Sequence, residues 1–192
     1  ANIVKICNDY FSNVTNEMIL NHPDIDSYTK YYNEFLHFIN DSVDISDIRQ
    51  TYHSSIGYYY YSNYNYEKAL SEFGKAYIIN KSNIQTKQFI SEVLLKRFLN
   101  ETDFVSAIDS VKFYIGKFDF LVNDQVLIKY LGYCYTEIIG QYYQSDNIKD
   151  GKKYLDDFDA FYSKYQNVKL NDEYIGYAYG NIAAYYFRKS QY

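Results

Sequence analysis

A helix–turn–helix pattern in residues 50–83 constrains the fold of this chain more than any other stretch. Counted from Gln50 as the first position, small and apolar residues stand at positions seven, eight, eleven, twenty, twenty-four and twenty-seven: Ile56, Gly57, Tyr60, Ala69, Phe73 and Ala76. A polar break at residues 62–65 divides the stretch into two helical segments. Gly57 and Ala69 are small enough for two helices to approach closely, while larger neighbours fill the space beside that contact. We therefore predict two packed helices here.

The remaining chain can be interpreted as less faithful copies of this pair. The second copy places the following residues at the same six positions: Leu94, Leu95, Phe98, Ala107, Val111 and Tyr114. In the third copy the matching residues are Leu131, Gly132 and Tyr135, then Gly151, Leu155 and Phe158. Its halves align only with about seven extra residues between them, so its first helix is predicted to run past Gly140. A last segment matches one helix only, through Ile182, Ala183 and Tyr186.

This spacing resembles the tetratricopeptide repeat, a helical pair of about 34 residues. The resemblance implies an all-α fold, a right-handed superhelical solenoid of antiparallel helix pairs with about nine helices. The chain would be one solenoid: residues 1–45 a degenerate pair or cap, 46–83 the best repeat, 84–119 and 120–166 degenerate repeats, and 170–192 the first helix of a truncated repeat. Ser46 is predicted to cap the first helix of the best repeat. Strong helical periodicity outweighs the strand propensity of the 27 tyrosines.

Composition argues against several classes of function. The formal net charge is −5 and Lys and Arg are not clustered, so no direct nucleic-acid contact is expected from this chain. The sequence contains no run of 18 apolar residues, so we predict no membrane span. We expect a cytoplasmic protein, with removal of a signal peptide or anchor left open. Neither the two cysteines nor the three histidines have metal-ligand spacing, so we predict no metal and no cofactor: Cys7, Cys134, His22, His37 and His53.

No residue can be assigned a catalytic role. The chain contains no HExxH, GxSxG or Walker-type sequence. Asp156, Asp157 and Asp159 form an acidic cluster, and paired carboxylates serve general acid–base catalysis. Because Lys152 and Lys153 stand beside them on one predicted helix, a solvated charged face is the better interpretation. We predict a non-enzymatic protein.

The exposed faces of the first helices suggest a binding surface, since these faces line the concave side of a tetratricopeptide solenoid. The residues predicted to bind a ligand there are Ser54, Tyr58, Tyr61, Lys96, Lys129, Tyr133, Glu137 and Arg188. Tyrosine rings offer large contact area at low entropic cost, which suits a peptide. Co-chaperone repeats grip a terminal carboxylate with Lys and Asn at the fifth and ninth positions. Here Ser54 and Tyr58 occupy these positions in the best repeat, and Lys129 and Tyr133 do so in the third copy, so that clamp is not reproduced.

Two functions remain in competition. The leading hypothesis is a protein- or peptide-binding module that uses the concave face. Its composition also resembles the sensor part of bacterial peptide-responsive regulators, whose DNA-binding domain would lie outside this chain. The alternative is a scaffolding protein that acts through self-association, as a homodimer formed by the uncovered carboxyl-terminal helix.

Overall fold

The computed structural model describes residues 2–15, 17, 19, 24–38, 44–99, 103–164 and 172–190. Within these ranges it contains nine α-helices and a 3-10 turn at Asp119–Asn123, with no strand, which confirms the predicted all-α class. The helices are α1 (Asn2–Thr15), α2 (Ile25–Phe38), α3 (Ser46–Ser62), α4 (Tyr66–Ile79), α5 (Ile84–Phe98), α6 (Phe104–Lys117), α7 (Gln125–Gln144), α8 (Ile148–Lys164) and α9 (Asp172–Lys189).

Helix boundaries recur along the chain. α5 begins 38 residues after α3 (84 against 46), and α6 begins 38 residues after α4 (104 against 66). The N-caps keep this register, since the side chain of Asn65 accepts from Lys68 N and that of Asp103 from Val105 N. Each cap satisfies an amide of the first turn that has no partner within the helix. α7 ends at Gln144, which confirms that it runs past Gly140.

The predicted cap of α3 is wrong by one residue. Ile45 occupies the N-cap position without a side-chain hydrogen bond, and Ser46 is the first helical residue. The Ser46 hydroxyl and backbone N–H donate to Asp44 Oδ1 at 2.6 and 2.9 Å. These two hydrogen bonds hold the pKa of Asp44 below its usual range. A carboxylate one residue before the N-cap therefore does what the serine was expected to do.

The contacts divide the chain into an amino-terminal unit, Ala1–Arg97, and a carboxy-terminal unit, Phe98–Tyr192. Aromatic rings dominate the core of the amino-terminal unit. Phe11 packs against Tyr28 and Tyr32, and Tyr32 stacks on Tyr52 with the ring centroids 3.7 Å apart. Such large rings bury much apolar area per residue, which compensates for the polar character of α2.

A glycine sets the spacing of α3 and α4, which pack against each other. A Cβ on Gly57 would lie 2.8 Å from two carbons of the buried Phe73 ring. The ring therefore occupies the space of the missing side chain. Phe73, rather than the small Ala69, is the closest neighbour of this glycine.

In the carboxy-terminal unit α7 packs against α6, α8 and α9. Its buried residues recur with helical spacing and include Leu127, Leu131 and Tyr135. The Tyr135 ring stacks on Phe158 of α8 with the ring centroids 4.8 Å apart. On another side of α7, a Cβ on Gly132 would lie 3.2 Å from the Tyr174 ring. A helix buried around much of its circumference can serve as the centre of such a unit.

Candidate functional site in the amino-terminal unit

A groove of about 420 Å³ opens in the amino-terminal unit. Its walls come from α1, α3, α5 and the residues just before α5, with no contribution from α2 or α4. We call this feature the groove and define it by its lining side chains, which are Ser12, Thr15, Gln50, Thr51, Ser54, Ser55, Tyr58, Asn83, Gln85, Thr86 and Phe89. Residues three and four apart on α3 share one helical face, which is why the sequence places its contribution on one wall.

Two lining residues of the groove, Gln50 and Thr86, belong to a chain of polar hydrogen bonds. Asn80 Nδ2 donates to Gln50 Oε1 at 3.4 Å, and Gln50 Nε2 donates to Thr86 Oγ1 at 3.3 Å. Gln50 is only 7% exposed and Thr86 only 2%. A carboxamide has two N–H donors and a carbonyl oxygen with two lone pairs. Within the described part of the chain, Gln50 uses one donor and one lone pair, so one of each remains for a ligand.

Aromatic side chains join α3 to α5 beside the groove. The Tyr58 and Phe89 rings lie 5.9 Å apart and are inclined at 60°. Phe89 also stacks on Phe73 at 5.1 Å, so one of its faces is covered. One helical turn further along, the Tyr61 hydroxyl donates to Glu92. Burial, reinforced by this carboxylate, raises the pKa of Tyr61 to about 12.

Among the described residues, the side chains that line the groove carry no formal charge. They are hydroxyls, carboxamides and two aromatic rings, with no Asp, Glu, Lys, Arg or His. The electrostatic character of the groove is therefore that of a polar, uncharged surface.

The structure brings together only part of the predicted binding set. Ser54 and Tyr58 line the groove, and Tyr61 adjoins it through its contact with Tyr58. Lys96 lies exposed on α5 and is not a lining residue. The remaining predicted residues belong to the carboxy-terminal unit and do not line the groove: Lys129, Tyr133, Glu137 and Arg188.

Those residues of the carboxy-terminal unit have differing surroundings. Lys129 and Arg188 are exposed, and Glu137 is half-buried. Tyr133 is 41% exposed, close to the 38% of Tyr58, and its ring meets the edge of Phe104 at 5.8 Å. The two tyrosines are thus similar in exposure, but only one of them lines the groove.

Sequence reasoning missed several lining residues, of which Gln50 and Thr86 are the most informative. A glutamine and a threonine on amphipathic helices are normally solvated, and nothing local distinguishes these two. The available signal was helical spacing, because Gln50, Ser54 and Tyr58 follow one another at intervals of four residues. Their face was predicted, but its contact with the start of α5 was not.

A second polar cluster, in the carboxy-terminal unit, joins α6, α7 and α8. Lys112 Nζ lies 2.8 Å from both carboxylate oxygens of Asp157, and the Tyr135 hydroxyl donates to the same carboxylate. Burial acts to raise the pKa of Asp157, but the hydrogen bonds from Lys112 and Tyr135 outweigh it and lower that pKa. The predicted solvated face suits the exposed Asp156, which pairs with Lys152, whereas the partly exposed Asp157 also pairs with Lys112 of α6, a contact that was not predicted.

The geometry of this second cluster indicates a structural link between α6, α7 and α8 rather than a reactive site. Asp157 is ion-paired to Lys112, and Tyr135 is fully buried. Burial and the neighbouring carboxylate raise the pKa of Tyr135 far above its usual range, so its proton stays in place. A cavity of about 300 Å³ adjoins Lys112 and Asp157. These two charged side chains line the cavity but already neutralise each other as an ion pair.

Among the described residues, no group of three or more His, Cys, Asp or Glu side chains lies close enough to hold a metal ion. None of the described helices combines the length and the hydropathy that crossing a membrane requires. Comparison of the chain with protein-family models, curated proteins and solved structures finds no match.

Proposed function

We propose that this chain is a non-enzymatic module that binds a peptide, or an extended segment of another protein, in the groove. The observation that carries the proposal is the origin of the lining, which comes from α1, α3 and α5 and from neither α2 nor α4. In a tetratricopeptide-like array of antiparallel pairs, these are the first helices of successive repeats, and their faces form the concave side. The 38-residue recurrence of helix starts and caps supports such an array.

The chemistry of the groove suits a peptide. Hydroxyls and carboxamides can exchange hydrogen bonds with backbone N–H and C=O groups, while the Tyr58 and Phe89 rings offer apolar contact area. Clefts of a few hundred Å³ with mixed polar and aromatic walls are typical binding sites. A narrower form of the proposal is the sensor part of a larger cytoplasmic regulator in a bacterium.

A second candidate function is self-association through α9. This helix exposes several large aromatic side chains, namely Tyr177, Tyr179, Tyr186 and Phe187. Exposed apolar patches often mark interaction surfaces. A scaffolding homodimer would dissociate on dilution, so sedimentation velocity at several concentrations tests it, with Phe187→Ser as the variant expected to shift the protein to monomer.

The groove proposal can be tested without knowing the natural ligand. A random seven-residue peptide library displayed on phage is selected on the immobilised full chain, and enriched peptides are synthesised with a fluorophore. Tyr58→Ala should weaken their binding by about tenfold or more, because truncating an aromatic anchor costs on the order of 2 kcal/mol. Tyr133→Ala, a substitution at a tyrosine of similar exposure, should leave affinity within about twofold.

Circular dichroism of both variants establishes that their helices are intact. Failure to enrich any peptide would contradict the proposal. So would equal affinity of the enriched peptides for the wild type and the Tyr58→Ala variant.

A further inference from the structure

We infer that the groove selects peptide segments that carry no charged side chain along the stretch it covers. The inference rests on the proposed function and names the class of ligand for the same site. It follows from three properties of the groove, which are its neutral lining, the unused hydrogen-bonding capacity of Gln50 and the shape of its aromatic end.

The first property is electrostatic. A charged side chain that enters a groove loses water, and only an opposite charge or several hydrogen bonds to the ionised form can compensate. The groove offers no opposite charge among its lining residues. The nearby carboxylate of Glu92 accepts from the Tyr61 hydroxyl and is not among the lining residues. A Lys, Arg, Asp or Glu side chain would therefore be disfavoured, and this rejection gives specificity.

The second property is hydrogen-bonding capacity. The remaining N–H and lone pair of Gln50 match one C=O and one N–H of a peptide backbone. Among the described residues the Ser54 hydroxyl has no hydrogen-bond partner, and it lies one helical turn from Gln50 on the same wall. Such groups are complementary to neutral amides.

The third property is shape. The Tyr58 and Phe89 rings are inclined at 60°, so together they do not form a flat platform. Phe73 stacks on Phe89, which leaves at most one face of that ring for a ligand. A branched aliphatic or aromatic side chain that packs against these inclined rings gains by leaving water. The ligand is thus an extended segment of uncharged residues with an apolar side chain placed against Tyr58.

The experiment uses the full chain and the peptides enriched from the random seven-residue library. Their affinities are measured by fluorescence anisotropy between about 50 mM and about 500 mM NaCl, a range over which screening lengths shorten several-fold. Sequences should be depleted in Asp, Glu, Lys and Arg, and affinity should change by less than about twofold across the salt range.

A matched pair of substitutions tests the groove itself. Ser54→Asp places a carboxylate in the neutral wall and should weaken binding about tenfold or more, since the new charge would lose water when a neutral peptide covers it. Ser71→Asp makes the same change on the exposed surface of α4 and should leave affinity within about twofold. Equal effects of the two substitutions would overturn the inference.

The outcomes separate the inference from the function beneath it. Enriched peptides that depend on Tyr58 but are rich in charged residues, with affinity that falls as salt rises, would overturn the inference and leave peptide binding intact. No enriched peptide, or binding that ignores Tyr58→Ala, would overturn both.

Discussion

The two units satisfy their buried tyrosines in different ways. In the amino-terminal unit two buried tyrosines have neutral partners, since the Tyr28 and Thr15 hydroxyls share a hydrogen bond of 2.8 Å and Tyr52 donates to Thr29 at 3.2 Å. In the carboxy-terminal unit two buried tyrosines donate to carboxylates, in the pairs Tyr135 with Asp157 and Tyr185 with Asp146. The same residue type therefore works in two electrostatic settings.

The difference bears on function as well as stability. Carboxylate partners bring cations with them, as Lys112 does for Asp157 and Lys189 for Asp146. The neutral partners Thr15 and Thr29 do not bring a cation with them. Thr15 both pairs with Tyr28 and lines the groove, so the neutral pairing supplies part of the uncharged wall. A surface suited to uncharged peptides is thus connected to the way the amino-terminal core is satisfied.

The largest expected effect comes from Gly57→Leu, which tests whether the amino-terminal unit depends on the close approach of α3 and α4. The new side chain would collide with the buried Phe73 ring, since even a Cβ would lie 2.8 Å from it. We expect a loss of about 1–3 kcal/mol or more in the free energy of unfolding, measured by urea denaturation.

The control for that substitution is Gly180→Ala in α9, where nothing lies within 4 Å of an added Cβ. It should leave stability unchanged or raise it by up to about 1 kcal/mol, the difference in helix propensity between Gly and Ala. Equal destabilisation by both substitutions would remove the special role of Gly57.

The next effect concerns the charged pairing of the carboxy-terminal unit. Asp157→Asn should cost about 1 kcal/mol near pH 7, a value discounted for the partial exposure of the pair. The folded-state pKa of Asp157 is lowered from 3.8, so its contribution is present above that pH and is lost as pH falls through the folded-state pKa. The difference between wild type and variant in thermal unfolding should therefore shrink as pH drops below about 3.8.

The labelling rate of the Cys134 thiol measures the effect of Asp157→Asn from inside the carboxy-terminal unit. Cys134 is fully buried and burial raises the pKa of its thiol to about 11, so labelling requires the structure to open. In a Cys7→Ser background, Asp157→Asn should speed labelling of Cys134 by about fivefold for a loss of about 1 kcal/mol. An unchanged rate would mean that the Lys112–Asp157 pair does not stabilise the carboxy-terminal unit.

The smallest effect is expected for Tyr28→Phe in the amino-terminal unit. Thr15 keeps its hydrogen bond to the Phe11 carbonyl at 2.8 Å, and the substitution removes only neutral hydrogen bonds, to the Thr15 and Ser55 hydroxyls. The cost should be about 1 kcal/mol or less and should not vary as the carboxylates titrate, because no carboxylate accepts from this tyrosine. A cost that varies with pH as that of Asp157→Asn does would erase the contrast between the units.

The sequence predicts the helices more completely than it predicts the candidate site. Period and turn chemistry predicted α3, α4 and the length of α7, because helix starts and stops depend on nearby residues such as Asn65. The placement of Phe73 over Gly57 depends on how two helices meet, which no local pattern specifies. Likewise Lys112 reaches Asp157 from 45 residues away, so the acidic cluster resembled a solvated face.

The candidate site shows the same limit. Ser54 and Tyr58 were found by helical spacing on α3, yet Lys129 and Tyr133, at the equivalent positions of α7, lie in the other unit. The sequence pattern identifies Gln50 only as the first position of the repeat. Its burial depends on Asn80 and Thr86, which reach it from the end of α4 and the start of α5. Long-range partners convert a polar helix face into a binding wall, and those partners are absent from local sequence.

The most direct test of the central claim is amide hydrogen exchange of the full chain with and without a saturating library-selected peptide. Binding in the groove predicts added protection centred on residues 50–58 of α3 and on residues 83–89, at and just before the start of α5, with little change in α7 and α9. Protection centred on α7 or α9, with residues 50–58 unchanged, would contradict the account.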